Sequence, residues 1–435
     1  MPISPTPIQQ SHNPDSLLIN PTSESFSEKV KGLICRECSR EYNAQPIYVC
    51  EYCFGPLELN YNYAAIAEHT SRDKISRGPL NQWRYIDLLP VDNKTLVNLN
   101  PGFSPMIPAP RLAKKLGLKN LYIKNDGINP THSFKDRVVG CAVSKALEFG
   151  FETISCASTG NLANATAAAA AKAGLRCFIF IPHDLELGKV LGTMIYGPKL
   201  IKVKGSYDDV NRLCSEIAGK YPWAFVNVNL RPYYAEGSKT LAYETAEQLG
   251  WRAPDHVVVP VASGSLLTKI YKGFNELWKI GVLDQEPKLR VSAAQAAGCS
   301  PVATAILSNS DHIQPVKPNT IAKSLAIGTP ADGYYAKDVV KNTGGGAAAI
   351  SDIDIVKGIE LLAETEGIFT ETAGGVTIAT LQQLCAHGVI KSNELTVAYI
   401  TGVGYKTQEA IGHIAERAYE TAANLDAFER LGVTK

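Results

Sequence analysis

The sequence predicts an α/β architecture with parallel sheets, and two observations carry that prediction. From about residue 100, short β-branched or aromatic runs alternate with longer stretches of helical period. Nearly all the short runs are apolar throughout, as parallel strands covered on both faces should be, whereas half-exposed antiparallel strands would alternate. At 435 residues the chain also exceeds what one hydrophobic core fills, so two or three domains are expected.

Taken in order, residues 1–28 are rich in Ser, Pro, Asn and Gln with no period that would bury a face, and are expected to be a mobile tail. Residues 29–60 hold four paired cysteines and are too few for a core without a staple, which predicts a mini-domain. Strands are expected at 121–124, 153–157, 176–181, 199–203, 223–228, 256–261, 289–293 and 395–400. Helices are expected at 134–149, 161–173, 207–219, 236–249, 352–366 and 405–420, several opening on a Ser, Asn or Asp cap. Ligands in such folds sit at the carboxyl ends of the strands, so the strand-to-helix loops are where chemistry is sought.

Composition narrows the partner. Lys plus Arg is 43 and Asp plus Glu 42, a net charge of +1, which provides no field to draw in nucleic acid or an anionic membrane. No apolar run is long enough for a membrane span, and no basic and apolar leader opens the chain, so a cytosolic protein acting on a small molecule is expected. Six of the ten cysteines (Cys141, Cys156, Cys177, Cys214, Cys299, Cys385) stand singly among apolar residues and read as buried thiols.

Four loops draw attention. The first runs from Asn125 through Asn129-Pro130-Thr131-His132-Ser133-Phe134-Lys135-Asp136-Arg137 into a helix. A lysine in the first helical turn is disfavoured as a cation by the helix dipole, and burial lowers its pKa further; both favour the neutral amine that attacks an aldehyde. Alone, Ser-Phe-Lys-Asp reads as a surface lysine in a capped helix, and only the company of the other loops reverses that. The second loop, Ser158-Thr159-Gly160-Asn161, offers hydroxyls and helix-start amides as a carboxylate seat, and an Asn amide that can donate to a phenolate. The third, Ala262-Ser263-Gly264-Ser265-Leu266, closes an apolar strand with small residues whose amides can cradle a phosphate, without the Gly-Lys-Ser/Thr of a P-loop. The fourth, Thr401-Gly402-Val403-Gly404, sets a neutral hydroxyl at a strand end.

Together, and in this order, N-P-T-x-S-F-K-D-R, S-T-G-N, the small-residue loop and T-G-x-G resemble the fold-type-II pyridoxal 5′-phosphate (PLP) enzymes, and within them the threonine synthase family. The resemblance spans about 100–410. It implies that Lys135 forms the internal Schiff base, Asn161 binds the pyridoxal hydroxyl, the amides of 262–266 hold the cofactor phosphate and Thr401 faces the pyridine nitrogen. It implies a large cofactor-binding domain from 61–137 and 250–435, a small domain from 138–249, a homodimer, and O-phosphohomoserine as substrate. The closer rivals are threonine dehydratase and O-phosphoserine-using synthases such as cysteate synthase. The family's phosphate-gripping segment matches 227–240, with Asn227, Arg231 and Lys239 as substrate ligands beside Ser158 and Thr159. Its arginine is displaced: Tyr234 stands in its usual place and Arg231 lies earlier. His132 stands where many members have glycine, and Ala262 and Ser263 where Gly-Asn is common.

Cys35-x2-Cys38 and Cys50-x2-Cys53 have the spacing of a zinc ribbon closed by four thiolates. A metal-free remnant or a redox pair would carry the same spacing. Structural zinc is the expectation, and similar knuckles occur in some threonine synthases. A nucleic-acid-binding ribbon is disfavoured by the charge balance and by the lack of basic or aromatic stripes.

Overall fold

The computed structural model describes residues 28–158 and 160–433. Most of the expected tail, residues 1–27, lies outside the described residues. The described chain begins with a small antiparallel sheet in which β1 (Val30–Cys35) lies between β2 (Glu41–Tyr42) and β3 (Leu57–Tyr61). Next come β4 (Met106–Pro108) and β5 (Asn120–Asn125), then β6 (Thr153–Ala157), β7 (Arg176–Pro182), β8 (Lys199–Val203) and β9 (Ala224–Phe225). The last strands are β10 (His256–Pro260), β11 (Arg290–Ala296), β12 (Ala347–Ile350) and β13 (Leu395–Ile400).

Strands β6 to β9 form an all-parallel sheet in the order β8-β7-β6-β9. The remaining six form a second sheet, β12-β11-β10-β13-β5-β4, parallel except for the edge strand β4. The chain therefore leaves the large sheet after β5, builds the smaller one, and returns at β10. Strands β6 and β10 are buried at every position, which is why their sequences are apolar from end to end.

Several elements depart from expectation. The helix expected at 405–420 is instead two 3-10 segments, Gly404–Lys406 and Gln408–Arg417; the second buries no residue, so no apolar face anchors a longer helix. Strand 223–228 shortens to Ala224–Phe225 because asparagine side chains take the neighbouring amides: Asn229 accepts from Phe225 N (2.7 Å) and Asn227 from Ala157 N (3.2 Å). The helix expected at 236–249 begins earlier, as Arg231–Glu236, and passes through the 3-10 turn Gly237–Lys239 into Thr240–Gln248. Strands β4 and β12 were not foreseen: one is three residues at an edge and ends in proline, the other mostly alanine, which has little strand preference of its own. Of the six single cysteines, Cys141, Cys156, Cys214 and Cys299 are buried, while Cys177 and Cys385 are only partly so. Among the described residues no helix is long and apolar enough to cross a membrane.

Candidate active site

Lys135 is the first residue of the helix Lys135–Glu148, and the residues of its motif fix that start. Thr131 donates to Asp136 from its amide (2.9 Å) and its hydroxyl (2.8 Å). Arg137, fully buried, reaches Asp126 (Nε to Oδ2 2.6 Å, Nη2 to Oδ1 2.9 Å) and Glu244 (Nη2 to Oε2 2.8 Å). Lys124 adds a second cation on Glu244 at 2.7 Å. A guanidinium fork between two carboxylates sets a direction that a point charge would not. His132 has φ +62°, so the turn asks for the left-handed region, which glycine adopts without strain.

The T-G-V-G loop is laced to the lysine loop. Phe134 N donates to the Thr401 carbonyl (2.9 Å), Val403 N donates to the His132 carbonyl (3.2 Å), and Ser133 pairs with Gly402. These bonds bring Thr401 into the same cleft as Lys135.

That cleft has a volume of about 370 Å³. Of the residues expected there, Lys135, Ser158, Asn161, Asn227, Arg231, Ala262, Ser263, Gly264, Ser265, Leu266 and Thr401 line it. Thr159 lies outside the described residues. Lys239 is not in the cleft: it is fully buried on Glu236 (2.6 Å) and Glu276 (2.9 Å), with the Tyr61 ring 4.1 Å from its amine. The Gly-x-Lys-Thr end of that segment serves packing, since a Cβ at Gly237 would meet the Arg137 carbonyl oxygen at 2.4 Å.

The Lys135 amine lies 2.7 Å from the Tyr234 hydroxyl and 4.6 Å from the centre of the Phe134 ring. Enclosure by protein pushes it down to about 8, against the opposing pull of Glu371. Asn161 donates to both Glu371 oxygens at 2.9 Å and accepts from Lys406 at 3.1 Å, and burial pushes Lys406 to about 8 as well. Ser158 caps the helix Asn161–Ala173, accepting from Gly160 N (2.9 Å) and Ala163 N (2.8 Å). Arg231 reaches Asp332 at 2.7 Å.

Tyr234, Glu371, Lys406 and the cleft residues Tyr48 and Ser324 were not singled out as ligands from sequence. Only Tyr234 left a signal, by standing where an arginine was expected. The others reach in from remote elements and belong to no motif.

The residues fit PLP. Gly264 has φ +96°, and a Cβ there would meet the Asp332 carbonyl oxygen at 2.6 Å; the helix Ser265–Lys279 that follows starts at the cleft, its first amide on Ser263 Oγ at 3.4 Å, and a helix start is an anion seat. The Ser324 hydroxyl in the same cleft is buried without a partner. An amine that burial lowers to about 8 lies in the same cavity. The cysteines likewise fit a metal. The Sγ atoms of Cys35, Cys38, Cys50 and Cys53 all lie within 4.8 Å of one another, with Cys35 and Cys53 3.4 Å apart and Cys38 and Cys50 3.7 Å apart. A tetrahedral zinc with Zn–S bonds of about 2.3 Å separates its sulfurs by about 3.8 Å.

The model of the family described as pyridoxal-phosphate dependent enzyme matches residues 97–402. Curated relatives include a threonine synthase of Methanocaldococcus jannaschii, 37% identical over 401 residues that cover 91% of this chain and 98% of that protein. Another is a threonine synthase of Bacillus sp. (strain ULM1), 39% identical over 332 residues, covering 76% and 90% respectively. Among solved structures, diaminopropionate ammonia lyase from Escherichia coli shares the fold, with a TM-score of 0.62 at 17% identity over 74% of this chain and 89% of that one. The chain belongs to the pyridoxal-phosphate dependent enzymes, among the threonine synthases.

Proposed function

We propose that the chain converts O-phospho-L-homoserine and water to L-threonine and inorganic phosphate, with PLP held on Lys135. The observation that carries the reading is the convergence of Lys135, Asn161, the 262–266 loop and Thr401 on one cleft that also contains Arg231. When bound, PLP supplies an aldehyde for the lysine and a ring that delocalises the electron pair left as the substrate's Cα–H bond breaks.

The remaining work falls to the chain's own side chains. The Lys135 amine takes the α-proton, helped by surroundings that favour its neutral form. Tyr234, hydrogen-bonded to that amine, orients it. The Ser265 helix start and Ser263 hold the cofactor phosphate, Asn161 the ring hydroxyl, and Thr401 the ring nitrogen, where a neutral hydroxyl leaves the ring a milder electron sink. Ser158 and Thr159 serve the substrate's carboxylate end, and Asn227 and Arg231 its phosphate. After the α-proton, a proton is also lost from Cβ as phosphate leaves Cγ; Cγ then gains a proton, the hydroxyl of water adds at Cβ, Cα regains its proton, and the water's remaining proton leaves with the phosphate. The four thiolates of the cysteine module hold zinc as a closed structural site. As in others of this fold type, the chain works as a homodimer in the cytosol.

Release of inorganic phosphate from O-phosphohomoserine, with O-phosphoserine and threonine as control substrates, tests the reading. Lys135→Ala is expected to lose both the visible absorbance of the lysine-bound cofactor and turnover; normal turnover in that variant overturns the assignment.

A further inference from the structure

The cysteine module does not stand apart from the cleft. Tyr48, between its two cysteine pairs, lines the cavity, and Arg36, inside the Cys35–Cys38 knuckle, points at the group that holds Arg231. Asp332 is the centre of that contact. One of its carboxylate oxygens takes Arg231 at 2.7 Å, and the other faces Arg36 at 3.6 Å. Its backbone amide donates to the Ser263 carbonyl at 2.8 Å, which ties it to the loop read above as the cofactor-phosphate seat. The Arg36 guanidinium lies 3.4 Å from the centre of the Tyr335 ring, and the Tyr335 hydroxyl bonds Glu37, the next residue of the knuckle. The side chains of Arg36, Arg231 and Asp332 are 22%, 23% and 9% exposed, so solvent screens these charges only in part.

Charge counting shows what this arrangement accomplishes. Arg231 paired with Asp332 alone is a neutral couple and a poor receptor for a phosphate dianion. Asp208 lines the same cleft and adds a further carboxylate. A second guanidinium on Asp332 shares that carboxylate's charge and offsets Asp208, so that two guanidiniums meet two carboxylates where Arg231 alone would be outnumbered, while the two contacts fix the direction of Asp332 and so of Arg231. We propose that Arg36 is a positioning residue for the substrate's phosphate: through Asp332 it keeps Arg231 aimed and electrostatically available, so that the cysteine module sets the affinity for phosphorylated substrate. This rests on the reading of the cleft as an O-phosphohomoserine site and adds to it the device that replaces the displaced arginine.

The test compares the holoenzyme with Arg36→Ala, Arg36→Lys and Arg40→Ala. Arg40 is a cation of the same module that stacks on the Tyr52 ring at 4.5 Å and has no link to Asp332. Two readouts are taken: KM and kcat for O-phosphohomoserine, and the affinity for inorganic phosphate followed by its perturbation of the cofactor's visible spectrum. For Arg36→Ala we expect KM to rise about tenfold with kcat within about twofold, and phosphate affinity to weaken by a similar factor. Arg36→Lys should recover most of the loss, and Arg40→Ala should match the wild type, with metal content and cofactor spectrum intact in all three. The proposal is overturned if Arg36→Ala leaves phosphate affinity unchanged, or if Arg40→Ala weakens it equally. A wild-type enzyme that does not turn over O-phosphohomoserine would remove the functional reading instead, and the phosphate titration would still decide the role of Arg36.

Discussion

Lys135 is the residue on which the chemistry depends, and its surroundings make a measurable demand. An amine pushed to about 8 is mostly protonated at pH 7 and mostly neutral at pH 9, and only the neutral form attacks an aldehyde. The rate at which the cofactor-free protein captures PLP should therefore climb with pH and reach its half-maximum near 8; a midpoint near 10, the value of an ordinary lysine, would show that the cleft does not shield the amine. Tyr234→Phe removes the hydroxyl 2.7 Å from that amine. Cofactor capture should survive, while kcat falls by about tenfold for want of an oriented base; an unchanged kcat would reduce Tyr234 to a wall of the cleft. At this scale the sequence was informative where function is local. Lys135, Asn161, Thr401 and the 262–266 loop each sit in a short strand-end motif, and all line the cleft. Lys239 misled because an intact Gly-x-Lys-Thr says nothing about direction: Gly237 packs on the Arg137 carbonyl and the lysine turns inward to Glu236 and Glu276. Glu371 and Lys406 were invisible because each meets Asn161 from more than two hundred residues away.

At the scale of elements, the start of the helix Lys135–Glu148 is held by a buried cluster of two cations and two carboxylates, Lys124, Arg137, Asp126 and Glu244. Burial alone would raise the Glu244 carboxyl, but Arg137 and Lys124 hold it down to about 2. In the unfolded chain a glutamate titrates near 4.3, so the stability this group contributes is present above that pH and is lost as pH falls from there toward 2. Glu244→Gln leaves Arg137 and Lys124 with too little negative charge in a fully buried site. It should cost about 3–5 kcal/mol, read from chemical denaturation at neutral pH, and should flatten the pH dependence of unfolding in the acid range. A variant as stable as the wild type would mean that the cluster is not a keystone of the helix start. Elements were legible where composition and burial agree, as in the all-apolar β10 and the Ser-capped helix Asp352–Glu366. They were not where partners decide, as in the alanine-rich β12, which pairs with β11, or around Gln408–Arg417, where Ile411 is only partly buried against the core.

At the scale of the molecule, the cysteine module is bound to the rest of the fold by charge as well as by position. Glu58 on β3 reaches Lys272 at 3.2 Å and pairs with Lys269, which also holds Glu236 at 2.6 Å; Tyr233 donates to the Gln45 carbonyl at 3.1 Å, and Arg36 faces Asp332. Two of these contacts, those of Glu236 and Tyr233, involve the helix Arg231–Glu236, and Arg36 reaches it through Asp332 and Arg231; the same helix carries Arg231 and Tyr234 into the cleft. A three-stranded sheet of this size has little core of its own, and a metal held by its four thiolates would fix its shape. If the four thiolates hold zinc, its removal should act in two stages. The knuckle around Arg36 loosens first, so mild chelation should raise KM for O-phosphohomoserine as Arg36→Ala does, with the lysine-bound cofactor's absorbance retained. Longer chelation should then lower the thermal midpoint, because Glu58 would lose its fixed place over the buried lysines. Applied to Arg36→Ala, mild chelation should raise KM little further, since both interventions break the same link. Additive increases in KM would place the metal's influence on the cleft along another route, and a protein purified without zinc that shows the wild-type KM would remove the metal from the account altogether.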